Sequence, residues 1–309
     1  MRFVVVLVAC LLALAAAKPN SAPYIHQSGR PLNIAHRGLA SILPENTLEA
    51  FSAALYQGAD FIELDVVYTK DKELMVMHDP FLTRITNIRS KPEFATRYET
   101  RVYNGKSQTD WWTDKFTFAE LTTLGIKQAQ APGRLTIFDY KFTFPLLSDV
   151  IEMVLNFNKQ HQGKRNPDGR LAGILIEAKD SQMYRDLYNR EIGEDILNLL
   201  KKYNIETIDK AKLVCPIYLH SFDYGTIKYW GGNTELPNNF LVYGGEKFNL
   251  TDVAIYATGV GFEDRNLWDY TENKISDTFY EAKKLGLIVH IWTFKDDEIF
   301  FNAKNNIVS

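Results

Sequence analysis

Two stretches in the first third of the chain determine how the rest is interpreted: NIAHRGLASILPENTLEAF at residues 33–51 and GADFIELDVVYTKDKELMVMHDP at residues 58–80. Each contains an apolar run of strand length, and charged or imidazole groups lie within it or where it ends. An isolated charge in or beside a buried strand is costly unless it has a partner. The two stretches therefore predict strands that carry a shared polar site at one edge of a sheet.

Further apolar runs of strand length alternate with helical segments along the chain. Strands are predicted at residues 32–35, 61–67, 174–178, 213–219, 240–243, 253–256 and 287–291. Helices are predicted at residues 47–57, between Asn46 as cap and Gly58 as stop, and at residues 277–285, between Ser276 and Gly286. This alternation indicates an α/β fold with a parallel sheet and helical crossovers.

Residues from about 80 to 145 break the alternation, because they are rich in Arg, Tyr and Trp and contain only a short helical pattern at residues 118–124. We interpret this stretch as an inserted cap segment, with an ordered loop of no function as the alternative. Long insertions in compact domains are more often lids or binding loops. On this interpretation Trp111 and Trp112 are candidates to line a substrate.

Composition limits the class of protein. A chain of 309 residues that is 46% hydrophobic and 13% aromatic can bury a large core, and a single domain is the simpler prediction. The net charge of -3 provides no basic stripe for a nucleic-acid backbone. A small phosphorylated substrate remains compatible, because its site needs only one or two cations.

The amino terminus predicts export. Arg2 precedes an apolar run at residues 3–17 that ends in small residues, the pattern of a secretory signal peptide. The run is shorter than the roughly 20 apolar residues of a membrane span and breaks at Lys18 and Pro19. We therefore expect a signal peptide at residues 1–17, a mature domain at residues 18–309, no stable membrane anchor, and a secreted or periplasmic location.

Cysteine usage adds one expectation about the mature chain. Cys10 would be removed with the signal peptide, which leaves Cys215 without an intramolecular partner. Disulfides are therefore not expected to stabilise the fold.

Three carboxylates predict a cation site. Glu63 and Asp65 are two apart on one predicted strand, so their side chains point to the same face. Glu177 ends another strand and supplies a third carboxylate. Oxygen ligands suit a hard ion, so the predicted cofactor is one divalent cation, Ca²⁺ or Mg²⁺. The alternative for a Glu-x-Asp pair is a salt bridge or a sheet-edge pair.

Basic and imidazole groups flank these carboxylates. His36 and Arg37 follow the first predicted strand, His78 ends an extended run, and Lys179 lies two residues after Glu177. Histidine can transfer protons near neutral pH, and cations neutralise charge on a transferred phosphoryl group. The set suggests phosphoryl chemistry, although a turn is the alternative for the His78 segment.

Two further residues are candidates for substrate contact. His220 precedes Ser221 at the end of a predicted strand, where a hydrogen-bonded structural histidine is an equally good interpretation. Trp292 follows the last predicted strand and either closes the pocket wall or belongs to the core.

Taken in order, the first two stretches together with ILIEAK (174–179), LHSFD (219–223) and LGLIVHIWTF (285–294) resemble the successive signatures of the glycerophosphodiester phosphodiesterase family, in its periplasmic or secreted form. The resemblance covers most of the chain from residue 33 to residue 294. It implies a TIM-type (β/α) barrel whose site lies at the carboxyl ends of the strands.

The resemblance also implies a role for each matching residue. It implies catalytic histidines at His36 and His78, and substrate contacts from Arg37 and Lys179. It implies a metal site at Glu63, Asp65 and Glu177. The implied reaction is attack on phosphorus by the neighbouring glycerol hydroxyl, followed by hydrolysis of a cyclic phosphate to glycerol 3-phosphate.

The sequence departs from the family pattern at the carboxyl end. Seven barrel strands are predicted, and the last βα unit of the family is expected to be missing. Two other functions remain open from the sequence. One is a lysophospholipase D-like lipid phosphodiesterase, which needs an apolar rim at the mouth. The other is a truncated, non-catalytic phosphodiester-binding barrel. The expected partner is a small-molecule glycerophosphodiester, and the sequence does not give the oligomeric state.

Overall fold

A computed structural model describes residues 31–129, 134–161, 170–269, 271–294, 301–302 and 307–308. The predicted signal peptide, including Cys10, lies outside the described residues. Within the described residues, no helix is long and apolar enough to cross a membrane.

The structure is built from short strands and helices that alternate along most of the chain. The strands are β1 (Ile34–His36), β2 (Phe61–Tyr68), β3 (Leu74–Val76), β4 (Tyr98–Tyr103), β5 (Lys106–Trp111), β6 (Gly173–Ala178), β7 (Ile217–Ser221), β8 (Asn238–Val242), β9 (Gly259–Glu263), β10 (Trp268–Asp269), β11 (Lys274–Ile275), β12 (Ile288–Trp292), β13 (Phe301–Asn302) and β14 (Ile307–Val308). The helices are α1 (Leu48–Tyr56), α2 (Phe118–Leu121), α3 (Leu147–His161), α4 (Ser181–Tyr188), α5 (Ile192–Lys202), α6 (Ile208–Val214), α7 (Tyr224–Asn233), α8 (Leu250–Tyr256), α9 (Asp264–Leu267) and α10 (Asp277–Lys284). Three 3₁₀ turns lie at Ile88–Ser90, Pro92–Arg97 and Thr113–Lys115.

The main sheet has eight strands, and its order is β1-β2-β6-β7-β8-β9-β12, with β3 attached to β2. All neighbours along that path pair in parallel, whereas β3 pairs antiparallel with β2. Seven parallel strands in nearly sequential order, connected mainly through helices, form the curled sheet of a TIM-type barrel. The fold class predicted from the sequence is confirmed.

Side chains on the inner face of the sheet form two layers. Phe61, Leu175 and Tyr218 pack together as an apolar floor on neighbouring strands. Two residues further along those strands the inward positions are Glu63, Glu177 and His220, a polar layer. Because strand side chains alternate between faces, a floor at i and a site at i+2 share the inner face.

Cross-strand register brings the polar layer together. His36 pairs with Glu63 across β1 and β2, Asp65 pairs with Glu177 across β2 and β6, and Glu177 pairs with His220 across β6 and β7. The outer face of the sheet packs on the helices in the main hydrophobic core. Sheet register therefore assembles residues that are far apart in the sequence.

The predicted strand at residues 253–256 is wrong, because these residues lie in helix α8. The side chain of Asn249 accepts hydrogen bonds from the backbone N–H groups of Thr251 and Asp252, which caps and starts the helix. The strand follows at Gly259–Glu263 and was missed because it contains two glycines. A Cβ on Gly259 would lie 2.1 Å from Oδ1 of Asn239, so the close approach of β8 requires glycine here.

Other boundaries need smaller corrections. Residues 213 and 214 end helix α6, so the predicted strand begins later, at Ile217. Thr47, not Asn46, caps α1 by accepting from the backbone N–H of Ala50. The cap of α10 by Ser276 is confirmed.

The inserted segment contains the β4–β5 hairpin, three 3₁₀ turns and helix α2. Trp111 is 8% exposed and Trp112 is fully buried, and their indole N–H groups donate to the backbone carbonyls of Phe94 and Glu99. The prediction that Trp111 and Trp112 line a substrate is wrong, since both rings are used to build the core of the segment itself.

Candidate active site

The predicted site residues converge at the carboxyl ends of four neighbouring strands. His36 ends β1, Glu63 and Asp65 lie on β2, Glu177 is the penultimate residue of β6, and His220 is the penultimate residue of β7. This end of the strands is where TIM-type barrels carry their sites.

A candidate metal group is present among the described residues. Glu63, Glu177 and His220 are all buried, and each offers a ligand atom within 4.8 Å of the others. Nε2 of His220 lies 3.4 Å from Oε1 of Glu63 and has no hydrogen-bond partner. Two buried carboxylates beside an unpartnered imidazole nitrogen fit a cation.

Asp65 lies beside this group and is held by other residues. Its Oδ2 accepts from Nδ2 of Asn46 at 2.8 Å and lies 3.3 Å from Nε of Arg37. Its Oδ1 has no hydrogen-bond partner and lies 3.7 Å from the ammonium of Lys179. Burial alone would raise the pKa of Asp65, but Arg37 and its other partners hold that pKa well below the usual value. Asp65 is therefore charged and has one oxygen, Oδ1, without a hydrogen bond, which is compatible with its predicted role as a metal ligand.

The His78 ring lies between the carboxylate of Asp79 and the ammonium of Lys179. Its Nδ1 lies 2.6 Å from Oδ1 of Asp79, and its Nε2 lies 3.1 Å from the ammonium of Lys179. The same ammonium lies 2.8 Å from Oε1 of Glu177. Burial would lower the pKa of Lys179, but Glu177 and Asp65 raise it, so the ammonium remains charged.

His36 lies on β1, next to Glu63 of β2. Its side chain is 36% exposed, and its Nε2 lies 4.0 Å from Oε2 of Glu63. The protein around its ring, and then the positive charge of Arg37, disfavour the imidazolium and lower the pKa of His36 below its usual value. The ring is therefore neutral at physiological pH and can accept a proton.

Sequence reasoning missed the ion-pair network that joins the two histidine segments. Oε1 of Glu45 lies 3.2 Å from Nη1 of Arg37 and 2.6 Å from Nη2 of Arg84. Nε of Arg84 also donates to Oδ2 of Asp79, the residue that holds His78. Arg84 follows His78 by six positions in an irregular segment, where no periodic pattern marks it.

A second residue that sequence reasoning missed is His290 on β12. Its Nδ1 lies 2.8 Å from Nδ2 of Asn239, and burial lowers its pKa to about 3. Its ring packs edge-on against Tyr218 of the apolar floor, with centroids 5.2 Å apart. Because Asn239 pairs with His220 across β7 and β8, these contacts place His290 beside both the floor and the polar layer.

Trp292 lies at the end of β12, where it contacts Phe222 and Tyr243. The rings of Phe222 and Tyr243 are stacked, with centroids 4.3 Å apart. The ammonium of Lys179 lies 5.6 Å from the ring centroid of Phe222. This places Trp292 on one side of the polar site, as a pocket wall requires.

A TIM-type barrel with buried carboxylates, two histidines and two fixed cations at the carboxyl ends of its strands defines an enzyme of the phosphodiester hydrolase class. A sequence model of the glycerophosphoryl diester phosphodiesterase family matches residues 36–306. The chain belongs to this family.

Curated relatives agree with this assignment. A glycerophosphodiester phosphodiesterase of Bacillus subtilis is 50% identical over 275 residues, which cover 87% of this chain and 78% of the relative. One from Arabidopsis thaliana is 29% identical over 304 residues, which cover 91% of this chain and 78% of the relative.

Solved structures show the same fold. A phosphodiesterase of Oleispira antarctica in complex with the product sn-glycerol-3-phosphate has a TM-score of 0.59 and 19% identity, and 87% of each chain is covered. A structure described as a glycerophosphoryl diester phosphodiesterase of Silicibacter pomeroyi has a TM-score of 0.58 and 20% identity, with 85% of this chain and 82% of the other covered.

Proposed function

We propose that this chain hydrolyses water-soluble glycerophosphodiesters to glycerol 3-phosphate and a free alcohol, with one divalent cation bound by Glu63, Asp65 and Glu177. The observation that carries the proposal is the convergence of these carboxylates with His36, His78 and Lys179 at one end of the barrel. The names of the curated relatives and the product in the Oleispira antarctica structure support the reaction.

Ca²⁺ or Mg²⁺ is the proposed ion, because carboxylate oxygens are the ligands that hard cations prefer. Such a cation would polarise the phosphoryl oxygens and offset their charge. The free Oδ1 of Asp65 supports its inclusion as a ligand. His220 offers a nitrogen to the same space, and its ligation would favour a softer ion such as Zn²⁺.

The two histidines divide the proton transfers in this proposal. His36 is neutral and partly exposed, so it suits a base that takes a proton from the attacking glycerol hydroxyl. His78 is held by Asp79 on Nδ1, and its Nε2 accepts from the Lys179 ammonium in the free protein. In this proposal Nε2 carries a proton when substrate is bound, and it passes that proton to the leaving alcohol. Arg37 and Lys179 carry the positive charge that a phosphoryl group needs.

The test is phosphorus NMR of the purified protein with glycerophosphocholine, glycerophosphoglycerol and a lysophosphatidylcholine, each with Ca²⁺ or Mg²⁺. We expect a glycerol 3-phosphate signal from the two soluble diesters. Cleavage of the lysolipid alone would instead support the lipid phosphodiesterase alternative. Binding of diester without any cleavage would support a non-catalytic barrel.

We also propose that the protein is exported, on the strength of the apolar run at residues 3–17. Amino-terminal sequencing of protein recovered outside the expressing cell should begin near Lys18. Recovery of the chain with Met1 only from inside the cell would contradict export.

A further inference from the structure

Three aromatic side chains form a continuous wall beside the phosphoryl-binding cations. Phe222 and Tyr243 are stacked at an interplanar angle of 16°, and Trp292 stands across both at 87° and 83°, with centroids 5.4 and 5.7 Å away. We call Phe222, Tyr243 and Trp292 the aromatic wall. The indole N–H of Trp292 donates to the carbonyl of Gly261 at 3.1 Å, which fixes the ring.

The wall has one covered and one open side. The ammonium of Lys179 is 5.6 Å from the centroid of Phe222, so this end of the wall borders the phosphoryl site. Tyr243 is 53% exposed although one of its faces stacks on Phe222. Its other face is therefore available to a ligand that extends outward from the phosphate.

Several carboxylates lie close to Tyr243, in addition to the Lys179 ammonium on the phosphoryl side. Oε2 of Glu246 accepts from the backbone N–H of Tyr243 at 3.2 Å, and Oε2 of Glu263 accepts from the N–H of Gly244 at 2.6 Å. Asp180 adds a carboxylate from the loop after β6. An exposed ring face amid carboxylates attracts a weakly hydrated cation through the ring quadrupole and through charge.

We propose that the aromatic wall is the headgroup subsite and that it binds a quaternary ammonium, which makes choline the preferred alcohol of the diester. This inference rests on the proposed function, because it places the phosphate between Arg37 and Lys179. A trimethylammonium group cannot share the face of Phe222 with the Lys179 ammonium, so it takes the outer face of Tyr243. A neutral headgroup such as glycerol would gain neither the ring nor the carboxylate attraction.

The Tyr103 hydroxyl hydrogen-bonds Asp180, and the nearby Tyr243 contributes to raising the pKa of Tyr103. Tyr103 ends strand β4 of the inserted segment. The segment therefore borders the headgroup subsite through Tyr103 instead of through the buried tryptophans.

The experiment compares kcat/KM for glycerophosphocholine and glycerophosphoglycerol in wild type, Tyr243→Ala, Tyr243→Phe and Tyr280→Ala. Tyr280 is 57% exposed on α10 and provides the matched control. We expect wild type to prefer the choline diester, Tyr243→Ala to reduce that preference about tenfold, and Tyr243→Phe and Tyr280→Ala to keep it. An equal loss on both diesters would overturn the assignment, because the wall would then contact the shared glycerophosphate.

Binding of tetramethylammonium, measured by saturation-transfer NMR, tests the headgroup subsite independently of hydrolysis. Contact with the wild-type protein that is lost in Tyr243→Ala and kept in Tyr280→Ala supports the subsite even if no diester is hydrolysed. Absence of contact with the wild-type protein would overturn the headgroup proposal, while hydrolysis would still support the proposed function.

Discussion

The ammonium of Lys179 lies 3.1 Å from Nε2 of His78. Because Lys179 is charged and can only donate, Nε2 must accept, and the proton of the neutral ring must lie on Nδ1. This assignment follows from the hydrogen-bond network. Nδ1 in turn donates to Asp79 at 2.6 Å. Lys179 and Asp79 thereby select one tautomer of His78 before substrate binds.

Replacement of Lys179 tests its charge directly. Lys179→Met removes a cation from the phosphoryl site and should lower kcat/KM by about 100-fold or more. Lys228→Met, on the outer helix α7, is the matched control and should behave as wild type. A Lys179→Met enzyme with more than half of wild-type kcat/KM would remove Lys179 from the mechanism.

The two histidines should each control the chemical step. His36→Ala and His78→Ala are each expected to lower kcat by roughly 100-fold or more, because each removes a proton-transfer group. His161→Ala is the control, since His161 ends α3 and its Nδ1 lies near the carbonyl of Phe157. A loss confined to KM would make the affected histidine a binding group only.

Arg84 is expected to act by positioning. Arg84→Gln frees Asp79 and Glu45, so His78 and Arg37 lose their fixed orientation, and kcat should fall about tenfold with little change in KM. Arg190→Gln provides a control, because it removes an arginine–carboxylate pair, with Asp195, away from the site. A rise in KM at constant kcat would show that Arg84 contacts substrate instead.

The same network should shape acid stability. Burial alone would raise the pKa of Glu45 and of Asp79. Arg37 and Arg84 instead hold the pKa of Glu45 below the usual 4.5. His78 and Arg84 hold the pKa of Asp79 below the usual 3.8. Groups with lowered folded-state pKa values stabilise the protein above those usual values and lose that contribution as the pH falls below them.

Melting temperature should therefore fall as the pH drops from about 5 towards 3, where the carboxylates of the unfolded chain take up protons. Arg84→Gln should melt lower at pH 7 and show a shallower acid decline, since it has already lost part of this contribution. Parallel declines in the variant and wild type would show that Arg84 does not couple to these two carboxylates.

Whether a strand or a site residue could be predicted from the sequence depends on its local sequence pattern. Glu63, Asp65 and Glu177 are in apolar strands of clear pattern, so their placement on one face of the sheet followed from the sequence. Strand β9 did not, because its glycines lower its apparent strand character. These glycines are required because β8 and β12 pack closely against β9, and that packing is a tertiary feature.

The charged residues of the site could be predicted from the sequence, but the residues that hold them in place could not. Arg84 and Tyr103 come from the inserted segment, whose short turns and hairpin have no dominant periodicity. Their contacts with Asp79 and Asp180 depend on how the segment folds back over the barrel, which local patterns do not encode. Trp111 and Trp112 were misassigned for the same reason, since tertiary packing decides whether an aromatic ring lines a pocket or fills a core.

The central claim is that Glu63, Asp65 and Glu177 bind a cation that the reaction requires. The most direct measurement follows glycerol 3-phosphate release from glycerophosphocholine by protein treated with a chelator, before and after addition of Ca²⁺ or Mg²⁺, alongside direct titration of the ion into wild type and Glu63→Gln. We expect no release after chelation, recovery with the ion, and ion binding that is lost in the variant. Full turnover by exhaustively metal-free protein would contradict the account.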